Sequence, residues 1–169
     1  MRFERIDEQL AKVLDREANC FTSSEEFVIS VADGEIRLAV RSTQPFTKVY
    51  DPGEPWDEDI EAYGAYVDGV LAGKIELAPA WNKLASIEHI VVAHEFRGRG
   101  VAKGLIDFAK TWALSKQLKG IRLETQTNNV GACKLYLKNG FEVGGFDSFT
   151  YRTQPSVSNE TALYFYWFA

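Results

Sequence analysis

The sequence predicts a single α/β domain, and three observations lead to that prediction. The chain has 169 residues and is 46% hydrophobic, which is enough to bury a core without disulfides or a structural metal. Strand-like and helix-like patterns alternate through its central part, as they do in α/β proteins. No repeat, low-complexity tract or linker interrupts the sequence, so we expect one domain over residues 1–169.

The N-terminal third predicts one helix, one hairpin and a loop. Apolar residues recur at helical spacing within residues 5–19, which indicates an amphipathic helix. Two strand-like runs follow at 26–31 and 35–41, and the Asp33-Gly34 pair between them is typical of a hairpin turn. Residues 51–61 contain two prolines and six carboxylates, so they predict an exposed loop that leads into a short helix.

The middle of the chain predicts a second hairpin, a buried strand and a long helix. Residues 62–67 and 70–77 flank an Asp68-Gly69 turn. The next strand, residues 84–93, is too apolar for a strand covered on one side, so we expect both of its faces to be buried. From Val101 the apolar spacing changes to the helical period, which predicts four or five turns of helix.

The last third predicts a strand, a helix and two final strands. Residues 121–125 form the strand-like run, and Asn128 or Asn129 is placed to cap a helix that ends at Asn139-Gly140. The final strands are expected near residues 141–151 and 161–168.

Composition and charge exclude several classes of protein. The net charge is -5 and the pI is about 5.1, which argues against a nucleic-acid partner because phosphate binding needs a basic face. No apolar run reaches the length of a membrane span or a signal peptide, so we expect a soluble, cytoplasmic protein with no membrane partner. Two histidines and two separated cysteines offer no recognisable ligand set, so no metal is expected. The first half is acidic and the second mildly basic, which indicates that the protein binds a cationic ligand and an anionic ligand together.

A glycine-rich turn between the buried strand and the long helix is the most informative segment. It reads Arg97-Gly98-Arg99-Gly100, and Lys103 follows in the first turn of the helix. Glycines let an anion approach the unpaired N–H groups at a helix N-terminus, so the pattern predicts a phosphate or pyrophosphate site. The sequence meets neither the Walker nor the Rossmann fingerprint. A tight strand-to-helix turn with no ligand is the alternative at this point.

Two motifs together resemble the GCN5-related N-acetyltransferases. Residues Arg97 to Ala102 meet that family's coenzyme A signature, Arg/Gln-x-x-Gly-x-Gly/Ala, with alanine in the last glycine position. A second signature is met by Asn129, Ala132, Leu135-Tyr136 and Gly140-Phe141. The resemblance implies the GNAT fold: a mixed, mostly antiparallel twisted sheet of about seven strands, flanked by about four helices. It also implies acetyl-CoA as the cosubstrate and coenzyme A as a product.

A closer resemblance covers nearly the whole chain. Residues 81–92, 123–130 and 157–162 are similar to the streptothricin (nourseothricin) acetyltransferases. That similarity implies transfer of an acetyl group to an amine on the β-lysine arm of the antibiotic, a small polycation. Two alternatives stay open: an acetyltransferase of another amine, such as a polyamine, an aminoglycoside or a protein N-terminus, and a non-catalytic acyl-CoA-binding module. A homodimer is also left open.

An acceptor amine is protonated at neutral pH and must lose a proton before its nitrogen attacks a thioester. Glu88 is the predicted general base, because a carboxylate within an apolar strand is costly unless it is paired or used. A carboxylate on an open face of the strand is the alternative interpretation of Glu88, and Glu76 and Glu124 are reserve candidates. His89 is predicted to be a hydrogen-bonded core residue. The family resemblance assigns Tyr136 as the general acid.

The resemblance also implies which residues bind the two substrates. Backbone groups of the strand would bind the pantetheine arm, and the turn would bind the pyrophosphate. The coenzyme-binding residues are Ile90, Val91, Val92, Arg97, Gly98, Arg99, Gly100, Val101, Ala102, Lys103, Asn129 and Tyr136. Charge and flat aromatic surfaces suggest a wall for the cationic amine. Its residues are Trp56, Asp57, Glu58, Trp81, Glu88, Glu124 and Asp147.

Overall fold

The computed structural model describes residues 1–50 and 57–169, and these contain nine strands and three α-helices. The strands are β1 Arg2–Ile6, β2 Cys20–Ala32, β3 Glu35–Val49, β4 Glu61–Val67, β5 Val70–Pro79, β6 Ala85–Val92, β7 Gly120–Gln126, β8 Glu142–Asp147 and β9 Ala162–Phe168. The helices are α1 Glu8–Ala18, α2 Val101–Ser115 and α3 Val130–Lys138. Seven strands form a sheet in the order β1-β4-β5-β6-β7-β9-β8, and β2 and β3 form a separate two-stranded sheet. The predicted α/β architecture with seven strands in its main sheet is therefore confirmed.

Several details differ from the sequence-based expectation. The first hairpin is longer than the predicted runs 26–31 and 35–41, since β2 spans Cys20–Ala32 and β3 spans Glu35–Val49. Residues 2–6 form a strand that includes the first two residues of the predicted helix 5–19, and α1 begins at Glu8, where the Asp7 carboxylate accepts a hydrogen bond from the Leu10 N–H at 2.8 Å. The described residues contain three α-helices instead of about four, because residues 57–60 form a turn that leads directly into β4. The last two strands are shorter than predicted, since residues 148–161 form a series of turns.

The chain divides into two compact units, each built from separated stretches of sequence. Unit 1 comprises Met1–Cys20, Val49–Arg122 and Phe168–Ala169. Unit 2 comprises Phe21–Lys48 and Leu123–Trp167.

Unit 1 contains an antiparallel meander covered by helices. β1 pairs with β4, β4 with β5, and β5 with β6, all antiparallel. Both α1 and α2 pack against this meander. Its core is made of fully buried aliphatic side chains: Ala11, Ile75, Leu77, Leu105, Ile106 and Ala109. The apolar stripe of each helix, recognised from its period, is what meets the sheet.

Unit 2 contains the β2–β3 ribbon, α3 and the antiparallel pair β8–β9. Its core is aromatic: the Tyr136 ring lies 5.9 Å from the Phe141 ring and 5.6 Å from the Phe165 ring, measured between centroids. The ribbon joins this unit through a hydrogen bond from the Phe27 N–H to the Thr127 carbonyl at 2.9 Å.

No helix among the described residues is long and apolar enough to cross a bilayer.

Candidate active site

The glycine-rich turn of unit 1 joins β6 to α2. Gly98 and Gly100 have φ angles of 74° and 81°, in the left-handed region that glycine adopts without strain. A Cβ at either position would meet nothing within 4 Å, so the space beside the turn is open. Gly100 is the N-cap residue and has no side chain to cap the helix. The first N–H groups of α2 therefore point to a place where an anion can accept them.

Arg97 is anchored to the backbone. Its Nη2 donates to the Ala18 carbonyl at 2.6 Å, and its Nε donates to the Val92 carbonyl at 3.1 Å. These contacts tie the end of α1 to the end of β6. Arg97 therefore has a structural role that the motif does not reveal. Its role in pyrophosphate binding stays a prediction.

Arg99 and Lys103 carry the other positive charges of this turn. Arg99 is exposed, and its guanidinium carbon lies 5.6 Å from the centre of the Phe96 ring. Lys103 is also exposed, and its ammonium lies 2.5 Å from the Asp107 carboxylate one turn along the helix. Because an exposed ion pair is worth less than about 1 kcal/mol, Lys103 can exchange this partner for a phosphate at little cost.

The strand segment predicted to bind pantetheine is held by β5. Ile90, Val91 and Val92 lie opposite Ile75, Lys74 and Gly73. At Gly73 the approach is close, since a Cβ there would lie 2.8 Å from the Val91 carbonyl oxygen. Glycine is required at this position because the atom in the way belongs to the β6 backbone.

Replacing Gly73 with alanine should therefore push β6 away from β5 at Val91. We expect Gly73→Ala to lower the free energy of unfolding by about 1–3 kcal/mol and to weaken acetyl-CoA binding. Gly131→Ala is the matched control, because Gly131 lies in α3 with nothing within 4 Å of the added Cβ and alanine favours a helix. Urea denaturation and calorimetric titration with acetyl-CoA measure both effects. A Gly73→Ala protein as stable as the wild type would contradict the expectation.

Glu88 lies at a β-bulge in β6. Glu76 of β5 faces His89, but the next residue of β5, Leu77, faces Ile87, so Glu88 is the extra residue. The expectation that both faces of this strand are buried is wrong at Glu88: its side chain is exposed, as the alternative interpretation placed it, whereas Ala85 to Ile87 are buried. The bulge explains the difference, since a bulge redirects a side chain that strict alternation would place elsewhere. Within the described residues Glu88 has no hydrogen bond or ion pair, so its carboxylate faces solvent.

A buried cluster of charged residues lies behind the bulge. The Lys74 side chain is 0% exposed; its ammonium donates to the Asp15 carboxylate at 2.7 Å and also to Glu76. His89 Nδ1 is 3.3 Å from Asp15 Oδ1, and its Nε2 is 3.2 Å from Asn19 Oδ1. The predicted hydrogen-bonded role of His89 is thus found, although the ring is half-buried. Burial alone would raise the pKa of Glu76, but its contacts with His89 and Lys74 outweigh burial and lower it.

The spacing of these residues along the sequence does not predict this cluster. Its carboxylates and imidazole come from α1, β5 and β6. One carboxylate oxygen each of Asp15 and Glu76 and one ring nitrogen of His89 lie within 4.8 Å of one another. The Lys74 ammonium supplies positive charge to both carboxylates. The one usable signal is the pair of charges at alternate positions 74 and 76 in a mainly apolar strand.

In unit 2 the second motif is centred on α3. The Asn129 side chain caps this helix by accepting a hydrogen bond from the Ala132 N–H at 3.2 Å. This decides the choice between the two predicted caps. Tyr136 is 4% exposed and packs between the aromatic rings of the core. Its ring is therefore fixed by packing, which limits the positions that its hydroxyl can take.

Cys133, also on α3, is a buried packing residue. Its side chain is fully buried, its thiol donates to the Gln126 carbonyl at 3.6 Å, and burial raises its pKa to about 12. A thiol in this state does not supply the thiolate that a covalent acyl transfer needs.

Polar side chains occupy every second position at the end of β7 and just beyond it: Glu124, Gln126 and Asn128. Glu124 is exposed and accepts a hydrogen bond from the Tyr151 hydroxyl, which also accepts one from Gln126 Nε2 at 2.9 Å. Burial, together with the neighbouring Glu124 carboxylate, raises the pKa of Tyr151, so its phenol stays protonated. Farther along, Asn128 Nδ2 donates to Glu160 at 2.9 Å, and Lys48 pairs with the same carboxylate. Sequence analysis missed Tyr151 and Glu160, although the polar alternation along β7 was visible.

The remaining predicted substrate residues occupy separate places. Asp147 is half-buried, and its carboxylate accepts hydrogen bonds from the N–H groups of Phe149 at 2.7 Å and Thr150 at 3.1 Å, so it shapes the turn before Tyr151. In unit 1, Trp81 is 91% exposed, and Asp57 and Glu58 are exposed before β4. Trp56 lies outside the described residues.

Each unit by itself carries groups suited to acyl transfer. Unit 1 combines an uncapped helix N-terminus beside open space, a strand with a bulge and an exposed carboxylate. Unit 2 supplies a tyrosine fixed by packing and a tyrosine that donates to a carboxylate. These are the kinds of group that bind a phosphorylated acyl carrier and remove a proton from an amine.

Comparisons with known proteins agree with this description. The model of the acetyltransferase (GNAT) family matches residues 29–141. The chain is 57% identical over 169 residues to a streptothricin acetyltransferase of Escherichia coli, covering 100% of this chain and 97% of that protein. It is 33% identical over 132 residues to streptothricin acetyltransferase A of Bacillus subtilis, covering 75% and 76%.

Solved structures show the same fold. A Bacillus anthracis protein assigned as a candidate streptothricin acetyltransferase, in complex with acetyl coenzyme A, superposes with a TM-score of 0.86 at 32% identity, covering 99% of this chain and 97% of that one. A nourseothricin acetyltransferase superposes with a TM-score of 0.83 at 29% identity, covering 98% and 96%.

Proposed function

Because the chain belongs to the GNAT family of acetyltransferases, we propose that it transfers the acetyl group of acetyl-CoA to an amine on the β-lysine arm of streptothricin. The observation that carries this proposal is the 57% identity to a streptothricin acetyltransferase along the full chain. The consequence would be inactivation of the antibiotic. The two free cysteines of this chain, Cys20 and Cys133, fit a reducing compartment such as the cytoplasm.

Acetyl-CoA would supply the acetyl group as an activated thioester, and unit 1 offers its binding groups. The uncapped N–H groups of α2 and the open space beside Gly98 and Gly100 fit a pyrophosphate. Arg99 and Lys103 add positive charge to it. The backbone of Val91 and Val92 would pair with the pantetheine amides in the manner of a strand. Acetyl coenzyme A in the Bacillus anthracis relative supports this assignment.

Glu88 would remove the proton from the acceptor. An alkyl ammonium has a pKa of about 10, so a base must take its proton at neutral pH. The Glu88 carboxylate is exposed at the bulge and has no partner among the described residues, which leaves it able to accept that proton directly or through water.

Tyr136 would donate a proton or a hydrogen bond to the departing sulfur. A thiolate leaving group benefits from such a donor. The packing of its ring against Phe141 and Phe165 holds the phenol in one orientation, and a fixed donor costs little reorganisation during the reaction.

Carboxylates of both units offer contacts for a polycation. Asp57 and Glu58 are exposed in unit 1, and Glu124 is exposed in unit 2 with its position set by Tyr151. Exposed acids attract a cationic substrate at long range and orient it at short range. We assign these residues to substrate capture.

The proposal is tested by release of free thiol from acetyl-CoA in the presence of several amines. Streptothricin should support rapid release, whereas lysine, spermidine and an aminoglycoside should not. Mass spectrometry should show one added acetyl group on the β-lysine arm. Tyr136→Phe, which keeps the packed ring, should lower kcat with streptothricin by tenfold or more.

Two outcomes would overturn the proposal. Equal or faster release with spermidine or an aminoglycoside would move the function to another polycationic amine. Tight acetyl-CoA binding with no release on any amine would indicate a binding module instead of an enzyme.

A further inference from the structure

The bulge that presents Glu88 needs a cause, because a strand pairs more regularly without an extra residue. Bulges bend a strand and redirect one side chain, and they persist where the surroundings fix them. Here the residue that follows the bulge is His89, which returns to register opposite Glu76. The contacts of His89 therefore determine where the bulge ends.

Two elements of unit 1 hold the His89 ring. Asn19, at the end of α1, has its Oδ1 3.2 Å from Nε2, and Asp15 of α1 has its Oδ1 3.3 Å from Nδ1. From β5, Glu76 Oε1 lies 3.9 Å from Nδ1. Oxygen atoms thus face both ring nitrogens. The Asn19 contact is a hydrogen bond, whereas Asp15 Oδ1 lies at ion-pair distance from the ring and makes no hydrogen bond among the described residues.

The charges of the cluster favour the same arrangement. Asp15 and Glu76 are buried carboxylates that share the Lys74 ammonium. Two negative charges and one positive charge leave a net negative charge below the ring. Buried charge is costly unless it is balanced, so the cluster attracts the N–H side of His89 and resists its displacement.

We propose that His89 is a positioning residue for acetyl transfer: the Asp15, Asn19 and Glu76 contacts hold its ring behind β6 and so fix the backbone bulge from which the Glu88 side chain projects. This inference rests on the proposed function and adds to it the part of unit 1 that aims the base. His89 acts through Glu88 and does not touch the reacting atoms.

The segment after His89 is held by other contacts. The Ala93 N–H donates to the Ala72 carbonyl at 2.9 Å, and Arg97 binds the Val92 carbonyl. Loss of the His89 ring should therefore disturb Glu88 more than the strand end that the coenzyme would meet. This difference predicts separate effects on kcat and on the KM for acetyl-CoA.

A double-mutant cycle tests the inference. In the wild-type background His89→Ala should lower kcat about tenfold to a hundredfold, while the KM for acetyl-CoA changes less than threefold. In the Glu88→Gln background the same change should alter kcat less than threefold, because the carboxylate to be aimed is already gone. His89→Gln, which keeps one N–H donor toward the carboxylates, should recover part of the lost kcat.

Wild-type turnover of streptothricin is measured first, so a failure of the proposed function appears before any variant is compared. The positioning role is overturned if His89→Ala lowers kcat by the same factor in both backgrounds, since that is the behaviour of a general loss of structure. It is also overturned if His89→Ala raises the KM for acetyl-CoA as much as it lowers kcat. Thermal unfolding of each variant confirms that the compared proteins are folded at the assay temperature.

Discussion

Glu88→Gln should lower kcat with streptothricin by about a hundredfold to ten-thousandfold, the range that a positioned general base contributes. Stability should change little, because the Glu88 side chain is exposed and has no partner among the described residues. Binding of acetyl-CoA should also be unchanged. The variant should regain activity steadily as the pH rises toward about 10, where the amine loses its proton without help.

Glu95→Gln is the matched control for that experiment. Glu95 is an exposed carboxylate of the same unit, in the short turn after β6, and its neutralisation should leave kcat within a factor of about two. Steady-state kinetics across pH compare the two variants with the wild type. A Glu88→Gln enzyme that keeps more than a third of wild-type kcat at neutral pH would show that another group accepts the proton.

Lys74→Met should lower the free energy of unfolding more than the other substitutions considered above. Lys74 is fully buried, and methionine retains most of its apolar stem while removing the charge. The Asp15 and Glu76 carboxylates then stay buried without their ammonium partner. Breaking a buried ion pair in this way costs about 3–5 kcal/mol. Urea denaturation at pH 7 measures this difference.

The pH dependence of that loss has a definite sign. In the wild type the pKa of Glu76 is lowered, so its contribution to stability is present above the unfolded pKa and is lost as pH falls through the folded value. In Lys74→Met, burial still raises the pKa of Glu76, while the Lys74 ammonium that lowers it is gone. Protonation of Glu76 then removes an unbalanced buried charge and so stabilises the variant. The difference in stability should therefore shrink as the pH falls from 7 toward 4.

Lys134→Met provides the comparison. Lys134 is exposed and pairs with the exposed Glu25 at 3.0 Å, so its loss should cost less than about 1 kcal/mol. A Lys74→Met protein that unfolds at the same urea concentration as Lys134→Met would contradict the view that the buried charges depend on Lys74.

Local sequence rules predicted the elements that lie within one continuous stretch of chain. The turn at Gly98 and Gly100, the start of α2 and a helix cap at Asn128 or Asn129 all follow from residue types at fixed spacing. The first strand was missed because its apolar residues, Phe3 and Ile6, are three positions apart, a spacing that continues the helical pattern of the segment that follows. Only pairing with β4 makes this segment a strand.

Features that depend on strand register were beyond local rules. The apolar run indicated that both faces of β6 are buried, but Glu88 is exposed at the bulge between the Glu76 and Leu77 pairs. The contact of Lys74 with Asp15 needs both the register of β5 and the rotation of α1. Neither quantity is encoded in a short window of sequence, because both are set by packing between distant segments.

The interleaved composition of the two units has a consequence for synthesis on the ribosome. The β2–β3 ribbon belongs to unit 2 and is translated well before the rest of that unit, which begins at Leu123. A two-stranded ribbon alone is marginally stable in water. Unit 1 is likewise divided, since its N-terminal strand and helix precede the ribbon, while β4, β5 and β6 follow it. A nascent chain that ends before β9 contains unit 1 except Phe168–Ala169 but lacks the strand that pairs with β8, so apolar segments of unit 2 stay exposed, and such chains are natural clients for chaperones.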